Sequence, residues 1–411
     1  MNDVMRGAQK RIESIRRRPV QVVVLKDGSP VADAQVELRM KRHQFLFGCD
    51  CYCANTYDTP EKERLHKELF AGFFNYATLP FYWGQYEPVR GEKSEKRLSD
   101  MVDWCKSIDL TTKGHPLVWH EILPEWLNDD HDIEKLIRER IGDLMERFGD
   151  RVDYWDLFNE ITVSQRFHNP MANWIERVGK ADAIAYAANC VYEANPKAKL
   201  LYNDFNVQPV DMEVLLRTLR EKRVELSAVG LQSHMHQRVW PLEEAWEICE
   251  RYARYGWPLH FTELTVINGR CTKDVDYTIG NPNSWISLPE DLEKQREYTE
   301  QFYTLLFSHP AVEAITWWDF PDRQWMDAPG GLVTEDLQVK PVYNGLKELI
   351  KKRWWSDESG VTNLEGCFQS TVYCGNYDIT VKTGNQAVRV NTDIQRKFGA
   401  HEGPQKLVVR L

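Results

Sequence analysis

No apolar run of about 18 residues or more occurs in the 411-residue chain, so nothing in it reads as a membrane span, and no membrane partner is expected. Residues 1–18 lack the apolar run of about 7–15 residues that a secretory leader carries, which predicts a cytoplasmic location. Positive charge is short: 52 Lys and Arg stand against 62 Asp and Glu, a net charge of −10. Such a chain repels phosphate backbones, and nucleic acid is not an expected partner. The local basic run from Arg6 to Arg18 reads as the solvated face of a short helix. There is no CxxC pair and no paired-histidine motif, and nine cysteines at irregular spacing suit reduced thiols better than a disulfide framework. Cys49, Cys51 and Cys53 alternate; on a strand they share one face and read as small buried residues at a strand end rather than a metal or redox site. No glycine-rich phosphate loop follows the first β-rich run, where Gly48-Cys49-Asp50-Cys51 stands, which argues against a doubly wound nucleotide-binding sheet. No cofactor is implied.

What is present is globular: 42% apolar, 28% charged, without low-complexity segments. Residues 20–24 and 34–38 are β-rich around Asp27-Gly28-Ser29-Pro30 and predict a hairpin too small to stand alone. From residue 44 onward, short apolar runs alternate with amphipathic helical stretches. The runs are Phe45–Gly48, Tyr76–Leu79, Lys113–Val118, Tyr154–Phe158, Leu200–Tyr202, Ala228–Leu231, Leu259–Phe261 and Ala314–Trp318. Eight strand–helix pairs over roughly 310 residues is the count of an α/β fold of the (β/α)8 TIM barrel type. Beyond about residue 358, short β-rich runs broken by Gly375-Asn376 and Gly384-Asn385 form an all-β unit. Both chain ends leave a closed barrel near each other. The expected organisation is a helix and hairpin over 1–43, a barrel over 44–354 and a β unit over 355–411, the two ends joining in one small accessory β-sandwich.

Barrel chemistry sits at the C-terminal ends of the strands. Strand four ends Phe158-Asn159-Glu160, and strand seven ends Phe261-Thr262-Glu263. Strand three leads to His115, Trp119 and His120; strand five supplies Asn203 and Asp204; strand six supplies Gln232 and His234; strand eight supplies Trp317 and Trp318, with Trp325 beyond. A single glutamate at a strand end is usually a surface or capping group. Two, ringed by Asn, Gln, His and Trp, match what glycosidic cleavage requires: one carboxyl kept protonated for the leaving oxygen, the other ionised to attack the anomeric carbon. Trp rings offer flat faces for sugars, and amides and imidazoles offer directional hydrogen bonds.

The ordered set Gly114-His115-Pro116-Leu117-Val118-Trp119-His120, Tyr154-Trp155-Asp156-Leu157-Phe158-Asn159-Glu160, Tyr202-Asn203-Asp204-Phe205-Asn206, Gly230-Leu231-Gln232-Ser233-His234, Thr262-Glu263-Leu264 and Ile315-Thr316-Trp317-Trp318 with Asp322 and Trp325 resembles the family 10 glycoside hydrolases, known mainly as endo-β-1,4-xylanases. The resemblance implies Glu160 as acid/base and Glu263 as nucleophile of a retaining enzyme. It also implies His115, Asn159, Gln232 and His234 on the sugar being cleaved, with Trp318 and Trp325 walling that subsite. Trp119, His120 and Asn203 are expected beside them, and the expected partner is an oligosaccharide or glycoside substrate. Two departures bear on specificity. The segment Thr78-Leu79-Pro80-Phe81-Tyr82-Trp83 replaces the acid, Asn and Lys with which the family binds xylose on the non-reducing side, placing Tyr82 and Trp83 in that subsite. Thr265 stands where the family has the Asp that partners the strand-six His. The loop after strand seven is long and carries Tyr277 and Trp285. The leading expectation is a xylanase-like β-glycosidase acting on short xylo-oligosaccharides. The alternatives are a different β-glycoside, with another sugar or an aromatic or lipid-like aglycone, and a non-catalytic carbohydrate-binding barrel.

Overall fold

The structure, a computed structural model, describes residues 3–208, 210–273, 283–396 and 403–411. Eight parallel strands close into a barrel: β1 (Leu46–Asp50), β2 (Tyr76–Pro80), β3 (Thr111–His115), β4 (Tyr154–Asn159), β5 (Lys199–Asp204), β6 (Ala228–Leu231), β7 (Leu259–Val266) and β8 (Val312–Trp317). The hydrogen-bonded order runs β7-β8-β1-β2-β3-β4-β5-β6, and β6 pairs with β7 to close the ring. Each strand falls within a few residues of its sequence expectation; most are short apolar runs of the kind that both faces of a parallel barrel bury, while Thr111–His115 is polar and starts two residues before its expected run. Helices start where local chemistry says they should. Thr59 caps Pro60–Ala71 by accepting from Lys62 N–H (3.3 Å), and Asp132 caps Ile133–Phe148 by accepting from Lys135 N–H (3.1 Å).

The barrel interior is filled in layers. Register places Leu46, Tyr76, Tyr154 and Ala314 on the inward face near the N-terminal end, with His260 edge-on to both tyrosines. One pleat higher stand Gly48, Thr78, Lys113, Asp156 and Thr316, and Lys113 Nζ meets Asp156 Oδ2 at 2.7 Å with both side chains fully buried. Above these open the strand ends. Among the described residues no helix is long and apolar enough to cross a membrane.

The chain ends do meet, but the expected hairpin opens. Arg17–Lys26 and Gln35–His43 do not pair with each other. The first lies between Cys367–Tyr373 and Gln405–Arg410; the second lies between Asp357–Val361 and Gly375–Thr383, which continues to Gln386–Ile394. The β-rich pattern carries no information on which strand pairs with which. Here each N-terminal strand finds two C-terminal partners and becomes central in its own sheet, which leaves fewer open edges than a hairpin would. Val20, Val22 and Val24 from one sheet and Val36, Leu38 and Met40 from the other are buried and join the apolar core that continues into the barrel.

The two parts are clamped at Arg16, the last residue of the N-terminal helix Ala8–Arg16. Its guanidinium donates to the carbonyls of Phe307 (2.7 Å), His309 (2.8 Å) and Val312 (2.7 Å), around the turn into β8, and lies over the rings of Phe45 and Phe307. Arg16→Ala leaves three carbonyls without their donor. It is expected to destabilise the chain by about 2–4 kcal/mol, the scale of charge-assisted bonds at a partly solvated site. Denaturant unfolding of the purified variant checks this; an unchanged midpoint would show that the clamp is not energetic.

Candidate functional site

Both candidate carboxylates stand at irregularities in their strands, Glu160 just after one and Glu263 within one. β4 slips register against β5 between Asp156 and Phe158, and β7 slips against β8 between Phe261 and Leu264. An extra residue of this kind re-aims the side chains next to it. Glu160 itself takes a left-handed backbone conformation (φ 56°), uncommon for a residue with a side chain, and is held there by its N–H donating to Asn203 O (2.9 Å). The 3-10 turn Ile161–Arg166 that follows is tied down by Asp204, which accepts from Thr162 Oγ1 (3.0 Å), Thr162 N–H (3.2 Å) and the Tyr202 hydroxyl.

A continuous amide network joins the two carboxylates. Asn203 Nδ2 donates to Glu263 Oε1 (2.7 Å) and to Asn159 Oδ1 (2.8 Å). Gln232 Nε2 reaches the same Asn159 Oδ1 (3.3 Å) and donates to Glu160 Oε1 (2.8 Å). Thr262 Oγ1 donates to Asn203 Oδ1 (2.6 Å), which fixes the amide's orientation. Glycine is required opposite: a Cβ on Gly230 of β6 would stand 2.4 Å from Asn203 Oδ1. On its other side Glu263 Oε2 lies 3.0 Å from His234 Nε2, and His234 Nδ1 lies 3.5 Å from Thr265 Oγ1. His115 Nδ1 shares a 2.7 Å hydrogen bond with Asp156, the same carboxylate that pairs with Lys113.

This environment drives the two glutamates apart in acidity. Burial and the negative charge of Glu263 hold the Glu160 carboxyl well above the usual range, more than the Gln232 amide offsets. Burial also pushes the Glu263 carboxyl up, but the His234 hydrogen bond and the fields of His115, His234 and Lys113 outweigh it, and the net displacement is downward. One carboxyl is set to hold a proton and the other to be ionised.

The aromatic wall forms around Trp318, which meets His115 (5.5 Å between ring centres), His234 (6.1 Å) and Tyr52 (5.2 Å) edge-on. Tyr82 stands edge-on to His115 (5.4 Å) and tilted against Trp119 (5.7 Å). Trp325 reaches the site indirectly, stacked on His236 (3.5 Å), which stacks on His234 (4.7 Å). Two expected residues are not part of this group. Trp83 begins the short helix Trp83–Tyr86 and turns away from Tyr82, packing on Trp126, under the Arg140 guanidinium, with its N–H on Glu87. It is a packing residue, because consecutive positions of a turn point in different directions. His120 is buried edge-on to Phe167 (4.5 Å), one residue past the wall. Trp285 donates its N–H to Met326 O (3.0 Å), and Tyr277 lies outside the described residues.

Sequence reading missed Asp50, Tyr52, Asp319 and His236. A signal for one of them was present: the alternation that turns Cys49 to one face turns Asp50 to the other. The strand ends at Asp50, and the chain turns over Tyr52 and Cys53, so the three cysteines do not share one strand face, and Cys53 is only partly buried. Cys49 and Cys51 are buried free thiols, pushed up by burial. Asp50 is buried on the site side, its carboxyl pushed up to about 6 by burial. Asp319 is displaced upward by burial and by Asp50.

The barrel resembles known proteins throughout. Residues 45–349 match the model of glycosyl hydrolase family 10. Endo-1,4-beta-xylanase B of Thermotoga neapolitana is 26% identical over 319 residues, which cover 73% of this chain and 87% of that protein. Endo-1,4-beta-xylanase 1 of Arabidopsis thaliana is 25% identical over 427 residues, covering 98% of this chain; the chain spans 40% of that protein's length. Among solved structures, a GH10 endoxylanase retrieved from a sugarcane soil metagenome shares the fold with a TM-score of 0.64 at 22% identity, covering 74% of this chain and 97% of that one. The match over most of the barrel, with the ordered strand-end motifs inside it, makes this chain a glycoside hydrolase belonging to glycosyl hydrolase family 10.

Proposed function

We propose that the chain is a retaining β-glycosidase that cleaves short β-1,4-linked xylo-oligosaccharides. The observation that carries this is the opposed acidity of Glu160 and Glu263 across one amide network. Glu160, kept protonated, donates to the leaving glycosidic oxygen while Glu263, kept ionised, attacks the anomeric carbon; the glycosyl–oxygen bond breaks as the glycosyl–Glu263 ester forms. Glu160, now a carboxylate, takes a proton from water, and the resulting hydroxide displaces Glu263 and restores both groups. Asn203 orients Glu263, and its N–H stays with the carboxylate as charge moves on and off it. His115 and Trp318 bound the sugar under attack. The names of the relatives support xylose-based chains. Restriction to short ones is supported by Tyr82, which stands where the family has a Lys for further sugars; Phe81 is buried against Phe148 and Trp155. A Lys there bonds sugar hydroxyls at about 1.5–3 kcal/mol because charge is involved, whereas Tyr82 offers one neutral hydroxyl, already bonded to that of Tyr52.

The pH dependence of kcat/KM is expected to be bell-shaped. The acid limb follows protonation of Glu263, displaced to low pH, and the alkaline limb follows loss of the proton from Glu160, displaced to high pH. Glu160→Gln should abolish the alkaline limb on aryl glycosides with good leaving groups; a limb that stays in place assigns it to another group. The first-formed sugar, followed by proton NMR from the start of reaction, should be the β-anomer, whereas the α-anomer would mean inversion.

Glu160→Ala should slow poor leaving groups by orders of magnitude while sparing the first step for activated aryl groups, and azide should restore the second step with formation of a β-glycosyl azide. Equal loss on both substrate types without azide rescue would remove Glu160 from this role.

Across xylobiose to xylohexaose and then arabinoxylan, kcat/KM should level off early. Binding energy from remote sugars raises the rate only where the cleft contacts them. A steep rise that continues onto the polymer would show a long open cleft.

A further inference from the structure

The segment that loses its polar residues faces the ends of β1 and β8, where two carboxyl groups stand that the mechanism does not use. Asp50 ends β1, and Asp319 follows β8 in a left-handed backbone conformation (φ 71°). Each is only 4% exposed. The Asp319 backbone N–H donates to Asp50 Oδ1 (2.9 Å), which ties the residue after β8 to the end of β1. The nearest buried lysines are engaged elsewhere, Lys113 with Asp156 and Lys340 with Asp322, each at 2.7 Å. Among the described residues no side-chain donor hydrogen-bonds the Asp319 carboxylate. Thr78, in register with Asp50 on the inward face of the barrel, is fully buried, and its hydroxyl has no partner. Asp50 also accepts from the Cys49 thiol (3.4 Å) and from the Phe320 N–H, so the carboxyl left without a side-chain donor is that of Asp319. Burying a carboxylate in that way is costly, and the cost is relieved by a ligand that brings hydroxyl donors.

The surroundings say where that ligand would sit. Asp50 and Asp319 both lie within electrostatic reach of Glu263. Above them Tyr52 and Tyr82 join hydroxyl to hydroxyl (3.2 Å), and Arg97 donates to Tyr52 O (2.9 Å), holding the tyrosine in place. Tyr52 also closes edge-on against Trp318. This tyrosine pair therefore shuts the side of the cleft on which Tyr82 replaces a family lysine.

We propose that Asp50 and Asp319 form the blind end of the substrate cleft and accept hydrogen bonds from the free hydroxyls of the non-reducing terminal sugar, so that the enzyme trims chains from that end. This rests on the glycosidase reading above and goes beyond it in naming the recognised group: vicinal hydroxyls of a terminal pyranose. A carboxylate offers two oxygens at the spacing of neighbouring hydroxyls, and each such charged bond contributes about 10- to 100-fold in affinity. An internal sugar cannot satisfy the clamp, because its 4-hydroxyl is already in a glycosidic bond.

The test compares 4-nitrophenyl β-xylobioside with the same compound methylated at the terminal 4-hydroxyl, together with the time course of reducing-end-labelled xylohexaose. The parent enzyme should lose about 100-fold in kcat/KM on the blocked compound, and the labelled chain should shorten stepwise from its far end. Asp319→Asn, which keeps the shape and tolerates the left-handed backbone, should cut the discrimination to less than about fivefold. Equal rates on blocked and free compounds, internal cleavage of the hexaose, or full discrimination retained in Asp319→Asn would each overturn the clamp while leaving the glycosidase reading standing. Should Asp319→Asn not fold, the two parent measurements decide alone. No turnover of any β-glycoside by the parent enzyme would overturn the glycosidase reading and the clamp with it.

Discussion

The side-chain amide of Asn203 is the constraint on which the site depends. It has one carbonyl and two N–H groups, and all are used: the carbonyl by Thr262, the N–H groups by Asn159 and Glu263. The ends of β4, β5 and β7 are thereby set relative to one another by a group on β5 that cannot rotate without losing its bonds to the other two. Around it the backbone gives way. Gly230 leaves room, and the register slips in β4 and β7 bring Glu160 and Glu263 to the same opening. Buried amides are costly when unsatisfied, so a network in which every member is satisfied admits essentially one arrangement.

Electrostatics follow from the same layering. The Lys113–Asp156 pair in the closed interior is neutral as a unit, yet Lys113 lies on the Glu263 side of the balance and helps hold that carboxyl ionised. Asp156 also takes His115, so the imidazole facing the site is oriented from below. Where the family's Asp is replaced by Thr265, His234 has only a long contact to a hydroxyl, and its ring is held instead by stacking on His236 and, through it, Trp325. A charged partner has been exchanged for aromatic contacts while the bond to Glu263 is kept.

How far residues can be placed from sequence depends on what sets their direction. Glu160, Glu263, Asn159, Gln232 and His234 were legible because they end strands whose apolar runs are long enough to locate. Trp83 was misplaced because it follows Tyr82 into a helical turn, where one residue's direction says nothing reliable about the next. Asp319 went unread because it lies in no pattern of its own, and Asp50 because the alternation that turns it inward says nothing of what stands beside it: the two become neighbours only when the last barrel strand closes against the first. The N-terminal β runs were seen as strands, but their pairing was not, since alternation identifies a buried face and not the partner across it.

The sequence by itself determined the barrel, its eight strands, the two glutamates and the meeting of the chain ends, because strand periodicity and strand-end chemistry are local properties written in consecutive residues. Tertiary structure alone decided which accessory strands share a sheet, which aromatic rings face the cleft, that burial and neighbouring charge displace the acidities of the two glutamates in opposite directions, and that Asp50 and Asp319 stand together. Each of these is a matter of distance between groups far apart in the chain, and burial and charge act through distance.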